Sequence, residues 1–213
     1  MNQIIVLSKR DSCPEGYISV DVTSRNPNTI IKTLSPFFLG PILCYDGLCS
    51  INMENAWQYS KVYPENIDRN GNPTEEYFKW RNYGFKKSFA DRYPKGKGAI
   101  PGYSYWKTEN GYEHLDYINA RKKIYVPLYA NAVSKTDGYH YLESIKEEGK
   151  QIALVDFDGY NNEVFGMTMQ DVINCQERKM GHAFVLKMLL DGLLPSDGKE
   201  WIDEASRLKE GDL

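Results

Sequence analysis

The chain has 213 residues, 41% hydrophobic and 26% charged, with a net charge of −3, which suits one domain with a substantial core. No apolar run reaches the length of about 18 residues that a membrane span needs, and Met1–Leu7 lacks a charged leader and a cleavage site, so neither a membrane partner nor a signal peptide is expected. Cys13, Cys44, Cys49 and Cys175 form no C-x-x-C pair and His114, His140 and His182 lack ligand spacing, which predicts reduced thiols, a cytoplasmic protein, and no metal or cofactor.

Gln3 to Leu7 is a short apolar run of strand type, and Gly16 to Thr23 alternates with a period of two, as a half-buried strand does. The two read as a hairpin or as neighbouring strands. Arg25 falls in the turn just past the second strand, where both a ligand contact and a plain surface arginine are possible. Thr29 to Leu34 reads as a brief helical turn. Ser35 to Pro41, bounded by two prolines, is an apolar loop that serves as a core plug or a pocket wall. Asp46-Gly47 predicts a hairpin between Ile42–Tyr45 and Leu48–Ile51.

Asn52 to Tyr63 then reads as a helix, free of Gly and Pro until Pro64. Glu54, Trp57, Gln58 and Lys61 fall at i, i+3, i+4 and i+7 and so share one face. On a helix Glu54 and Lys61 would stand roughly 10 Å apart along the axis. That is too far for a simple salt bridge and suits two groups that reach one small ligand. The plain alternative is a solvated polar face, against which an indole in mid-stripe is the chief objection.

Pro64 to Pro73 is a polar loop, and Thr74 caps a helix to about Arg81. Gly84 interrupts the pattern, and Phe85 to Tyr93 reads as its resumption. Pro94 to Gly102 is a basic glycine-rich loop without Walker spacing, whose amides and Lys95 and Lys97 suit a phosphate. Lys79 to Lys97 carries seven basic residues and one acid, net +6 in nineteen residues, leaving −9 on the rest. Interleaved with aromatics and followed by Tyr103, Tyr105 and Trp106, it matches a surface that stacks bases and holds phosphates, DNA included. The plain alternative is a helix pair with lysines outward.

Leu115 to Val126 is a helix with Ile118, Lys122 and Tyr125 on one side and Arg121 beside them, kinked or ended by Pro127 and continued to Val133. Tyr139 to Ile145 is helical. Gln151 to Phe157 is an apolar strand ending in Asp156 and Asp158, which serve chemistry or cap a turn. Thr168 to Asn174 is a short helix. Arg178 to Leu194 is an amphipathic helix with His182 on its apolar face, as a satisfied core residue or a titrating site group. Lys199 to Leu208 reads as a tail helix anchored by Trp201 and Ile202.

Glu54-Asn55-Ala56-Trp57-Gln58-Tyr59-Ser60-Lys61 resembles the E-H-A-[YF]-Q-x-x-K helix of the NADAR (YbiA-like) group. Leu34–Phe37 resembles its L-S-N-F, Val155–Gly159 its D-x-x-W-G strand end, and Gly181–Leu186 its C-terminal helix. The chain resembles more closely an uncharacterised bacterial and phage family, through D-V-T-S-R (Asp21–Arg25), S-P-F (Ser35–Phe37), E-x-x-W-Q-x-x-K-V (Glu54–Val62), A-R-x-x-I-Y-x-P-x-Y (Ala120–Tyr129) and H-A-x-x-L (His182–Leu186). If phage-encoded, the chain would work in the host cytoplasm. Asn55 stands where the NADAR histidine would be, Gly159-Tyr160 replaces W-G, and residues 1–25 have no NADAR counterpart.

The NADAR resemblance implies a mostly helical, YbiA-like core, and with the strands and tail helix read above the expected fold is α+β, mainly helical: a single domain with a β-rich part at 1–51, a helical core at 52–194 and a C-terminal helix at 195–213. The resemblance implies N-glycosidase-type chemistry on a ribosyl bond, in an ADP-ribose adduct, a nucleotide or a modified base. Glu54 is then the expected catalytic carboxylate and Asp158, or Asp156, its partner. Lys61 would bind phosphate or attack the sugar carbon. Gln58 would orient ribose hydroxyls, Trp57 or Trp106 would stack on the base, and Arg121, Lys95 and Lys97 would hold pyrophosphate, with Arg25 and His182 as further contacts. The alternative is a non-catalytic accessory protein that binds a nucleotide, nucleic acid or host factor.

Overall fold

The computed structural model of the protein describes residues 3–194. The predicted tail helix at 195–213, with Trp201 and Ile202, lies outside the described residues. β1 (Ile4–Ser8) and β2 (Tyr17–Asp21) are followed by α1 (Thr29–Lys32), capped by Asn28, and by the hairpin β3 (Ile42–Leu43) and β4 (Cys49–Ser50). Asp46 and Gly47 both take positive φ at that turn, as a two-residue hairpin of primed type requires. α2 (Met53–Tyr59) leads directly into β5 (Lys61–Val62), and α3 (Glu75–Phe85) begins at its Thr74 cap.

β6 (Tyr103–Thr108) and β7 (Gly111–Leu115) form an antiparallel hairpin that also pairs with β5. α4 (Tyr117–Ala120), a π turn (Arg121–Tyr125) and α5 (Val126–Val133) form one continuous rod, followed by α6 (Asp137–Glu147). β8 (Gln151–Asp156), α7 (Met169–Asn174) and α8 (His182–Leu190) complete the described chain.

β1 and β2 are neither a hairpin nor neighbours. β8 lies between them, parallel to both, with Val6 and Val20 each opposite Leu154. A central parallel strand is covered on both faces and reads as an unbroken apolar run, which Ile152-Ala153-Leu154-Val155 is. One face of this sheet meets α8, itself packed on α5 and α6, and builds the main core. α8 is therefore not amphipathic: all nine of its residues are buried, and Lys187 survives there by donating to the Ile4 carbonyl and to Asp191, each at 2.7 Å.

The mainly helical expectation is overturned. Of the described residues 37% are helical and 18% are in strands, arranged in several sheets, so the fold is α+β with both classes prominent. Four strands, β5 to β8, fall inside the stretch read as a helical core. Gly84 does not interrupt α3, because a Cβ there would lie 2.0 Å from the Tyr59 ring and glycine is what lets α3 press on α2. The segment after Phe85 is loop, not resumed helix. Asn55 holds it, accepting from the Asp91 N–H (2.8 Å) and donating to the Phe89 carbonyl (2.9 Å). No helix among the described residues is long and apolar enough to cross a membrane.

Candidate active site

α2 starts where the Asn52 side chain accepts the Asn55 N–H at 2.8 Å, and it ends at Ser60. The predicted helix is too long: Lys61 already pairs with Ser104 in β5. Its side chain nonetheless folds back over the last turn, with Nζ 4.7 Å from the Trp57 ring centre. Lys61 Nζ donates to Gln58 Oε1 at 2.8 Å, and Gln58 Nε2 donates to Glu54 Oε1 at 2.8 Å. An amide set between an ammonium and a carboxylate satisfies both in only one orientation, oxygen to amine and N–H to carboxylate. Gln58 therefore spends both ends on its neighbours and does not serve as the expected ribose contact.

This stripe is not a wet surface, since Glu54 is 7% exposed and Gln58 8%. Burial pushes the Glu54 carboxyl above its usual range, and the Gln58 hydrogen bond and the Lys61 charge offset this only in part. Burial pulls the Lys61 amine down to about 8, with Glu54 opposing and Lys179 adding to the fall. Opposite shifts in an acid and a base linked by one amide bring their proton affinities closer together, as perturbed groups at functional sites often are.

The two strand-end carboxylates have different duties. Asp156 is buried; its Oδ2 lies 3.1 Å from His182 Nδ1 and accepts the Ala183 N–H at 3.3 Å, at the start of α8. His182 Nε2 donates to the Val22 carbonyl at 2.8 Å. Both imidazole nitrogens thus face acceptors, so His182 is a satisfied buried residue. Gly181 makes room for this, as a Cβ there would fall 2.1 Å from Asp156 Oδ2. Asp158 is the more accessible acid and accepts from Arg92 Nη2 at 2.9 Å.

These groups line one cavity of about 1090 Å³, large enough for a dinucleotide-sized ligand. Its walls are the loop after β2, the Ser35–Phe37 loop, α2 and β5, the loop at 92–101, the π turn, the end of β8 and the loop before α8. The apolar loop at 35–41 is thus both things: Pro36 and Phe37 face the cavity, and Leu39 is in the core.

Among the expected ligand contacts, Arg25, Trp57 and Lys97 line the cavity, Arg25 lying over Phe157 with 5.1 Å to its centre. Arg121 lines it too, but its Nη1 donates to the carbonyls of Val172, Ile173 and Cys175 at 2.7–2.9 Å, so its guanidinium fastens the end of α7 rather than a pyrophosphate. Lys95 is not in the wall; it pairs with Glu65 at 2.8 Å over Trp80. Trp106 is 2% exposed in a separate cluster with Tyr45, Phe85 and Ile124 and cannot stack on a base. The basic track is largely consumed internally: Lys79 by Glu75 and Glu76, Arg81 by Tyr45, Lys87 by Asp91 and Arg92 by Asp158. Sequence reasoning missed Tyr125 and Lys179 in the wall, and had Arg92 only as part of the basic stretch from Lys79 to Lys97. Of the two missed, Tyr125 carried a signal, the Pro127 two residues further along a helical pattern.

No curated protein and no solved structure matches the chain. A family model does match, over residues 7–170, and by that match the chain belongs to DUF6939, a family of unknown function.

Proposed function

We propose that the chain is an N-glycosidase-type hydrolase acting on a ribosyl N-glycosidic bond, in an ADP-ribose adduct, a nucleotide or a modified base of nucleic acid. The observation that carries this reading is the Lys61–Gln58–Glu54 chain, its buried acid pushed up and its amine pulled down, in one cavity with Asp158. Cleavage passes through an oxocarbenium-like state, for which paired carboxylates are the usual protein answer. The carbon–nitrogen bond breaks with its electron pair on the leaving nitrogen. Water adds to the sugar carbon, Glu54 takes the water proton, and Asp158 faces the positive sugar. The leaving nitrogen gains its proton from solvent. Trp57 offers the base an apolar wall, and Arg25 and Lys97 meet phosphate at the rim. Four unpaired cysteines fit a reducing compartment, the cytoplasm.

The second reading is a non-catalytic accessory protein that binds a nucleotide, nucleic acid or host factor. What favours it is an aromatic ladder outside the cavity, with Tyr103 stacked on His114 (4.1 Å between centres) and Tyr105 on Tyr112 (5.3 Å). One experiment separates the two: incubation with ADP-ribosylated DNA, NAD and nucleotides, with mass spectrometry of the products, beside Glu54→Gln. Release of free base or ADP-ribose that the variant loses while still binding supports the hydrolase. Binding without turnover in both proteins supports the accessory protein.

A further inference from the structure

Pro127 sits in the first turn of α5, and its ring has no N–H and crowds the carbonyl four residues back, at Lys123. The preceding turn opens, and the Val126 N–H bonds the Arg121 carbonyl, an i→i+5 closure. Single π turns inside α-helices recur at functional sites. Here the turn ends in Tyr125, which lines the cavity and is 8% exposed. Its ring is fixed by Trp57, edge-on at 5.3 Å, and by Tyr129, parallel at 6.1 Å.

The Tyr125 hydroxyl makes no hydrogen bond to any described residue. Tyr63, also buried in the cavity wall, shares this, whereas three other buried tyrosines do not. Tyr129 donates to the Leu34 carbonyl at 2.6 Å, Tyr77 to the Ser60 carbonyl at 3.1 Å and Tyr59 to Asp91 at 3.0 Å. Burial, then the charges of Glu54, Asp156 and Asp158, hold the Tyr125 phenol well above its usual range, so it stays a neutral donor. A ligand group suited to a phenol donor among carboxylates must both accept and donate. A sugar hydroxyl does both, an anion does not, and the Gln58 amide is already spent.

We propose that Tyr125 is the specificity-determining residue for the sugar: its hydroxyl donates to a ribose hydroxyl oxygen, and that hydroxyl in turn donates to Glu54. This rests on the ribosyl ligand of the proposed function and names the group that would recognise it.

The test is calorimetric titration of the full chain with ADP-ribose and with the analogues lacking either vicinal hydroxyl of the terminal ribose. For Tyr125→Phe, ADP-ribose should bind about tenfold more weakly, the scale of one hydrogen bond. For the wild type, one analogue should lose a similar factor, and the variant should no longer distinguish that analogue from ADP-ribose. Because the hydroxyl has no protein partner, Tyr125→Phe should melt at or above the wild-type temperature. Unchanged ADP-ribose affinity in the variant, retained discrimination, a lowered melting temperature, or no wild-type binding of ADP-ribose overturns the inference. If the binding pattern holds and no N-glycosidic bond is cleaved, the hydrolase reading fails and the sugar contact stands.

Discussion

Burial and two neighbouring charges set the proton affinity of the Lys61 amine. Burial lowers it most, Glu54 raises it and Lys179 lowers it again, with about 8 as the result. At pH 7 roughly a tenth of such an amine is free base, against well under a thousandth of an ordinary lysine. Lys61 should therefore acylate early in competitive labelling with acetic anhydride, with a midpoint near 8, while Lys79, raised by Glu75 and Glu76, stays protonated far longer. Glu54→Gln removes the one charge that supports the ammonium, so the Lys61 midpoint should move below 8. Lys179→Met removes a repulsive charge, so the midpoint should move up. Peptide mass spectrometry across the pH series reads all three, and a Lys61 that labels like Lys79 would end the case for a tuned amine. The shift itself was not visible in the sequence. The i, i+3, i+4, i+7 spacing places the four residues on one face, but their burial depends on the folded chain, whose loops at 35–37 and 92–101 wall the same cavity from distant positions.

At the scale of elements, local rules worked where the chain decides for itself. The Thr74 cap, the Asp46-Gly47 turn and the apolar run of β8 each specify their element from a few residues, and Asn28, Asn52 and Thr168 cap theirs in the same local way though they were not read as caps. Local rules failed where a neighbour decides. Gly84 reads as an interruption because its reason, the Tyr59 ring, is on another helix. The hairpin of β6 and β7 was hidden by its own composition: Tyr-Ser-Tyr-Trp-Lys-Thr alternates and Asn110-Gly111 is turn chemistry, yet the aromatics drew a binding reading. Arg121 is the sharpest case. Its charge suggested phosphate, and its burial assigns it to the backbone of α7. Arg121→Lys keeps the charge but loses the planar fork that reaches several carbonyls at once. It should cost about 2–3 kcal/mol in urea unfolding, as expected when buried hydrogen-bonding groups lose their partners. A phosphate-binding arginine would instead show unchanged unfolding and weakened ligand affinity.

For the whole molecule, the decisive feature is that β8, late in the chain, lies between two strands from its beginning. The closure is held at one end by a buried charged pair, since His182 of α8 joins Asp156 at the end of β8 to the Val22 carbonyl after β2. Burial works against both charges, and the pairing prevails, so Asp156 titrates below its ordinary 3.8 and His182 above its ordinary 6.5. The signs follow from linkage. The carboxylate's contribution is present above 3.8 and is lost as pH falls through the lowered native value. The imidazolium's contribution is complete below 6.5 and is lost as pH rises through the raised native value. The pair thus supports the fold fully between 3.8 and 6.5 and progressively less on the alkaline side. Urea midpoints measured across that range and above should show the wild type losing stability with rising pH, and His182→Gln losing less of it. Asp156→Asn leaves burial opposed chiefly by the Val22 carbonyl, so the His182 titration followed by NMR should fall from its raised value. Parallel pH profiles for wild type and His182→Gln would show that the joint between the two ends of the chain is held by packing alone.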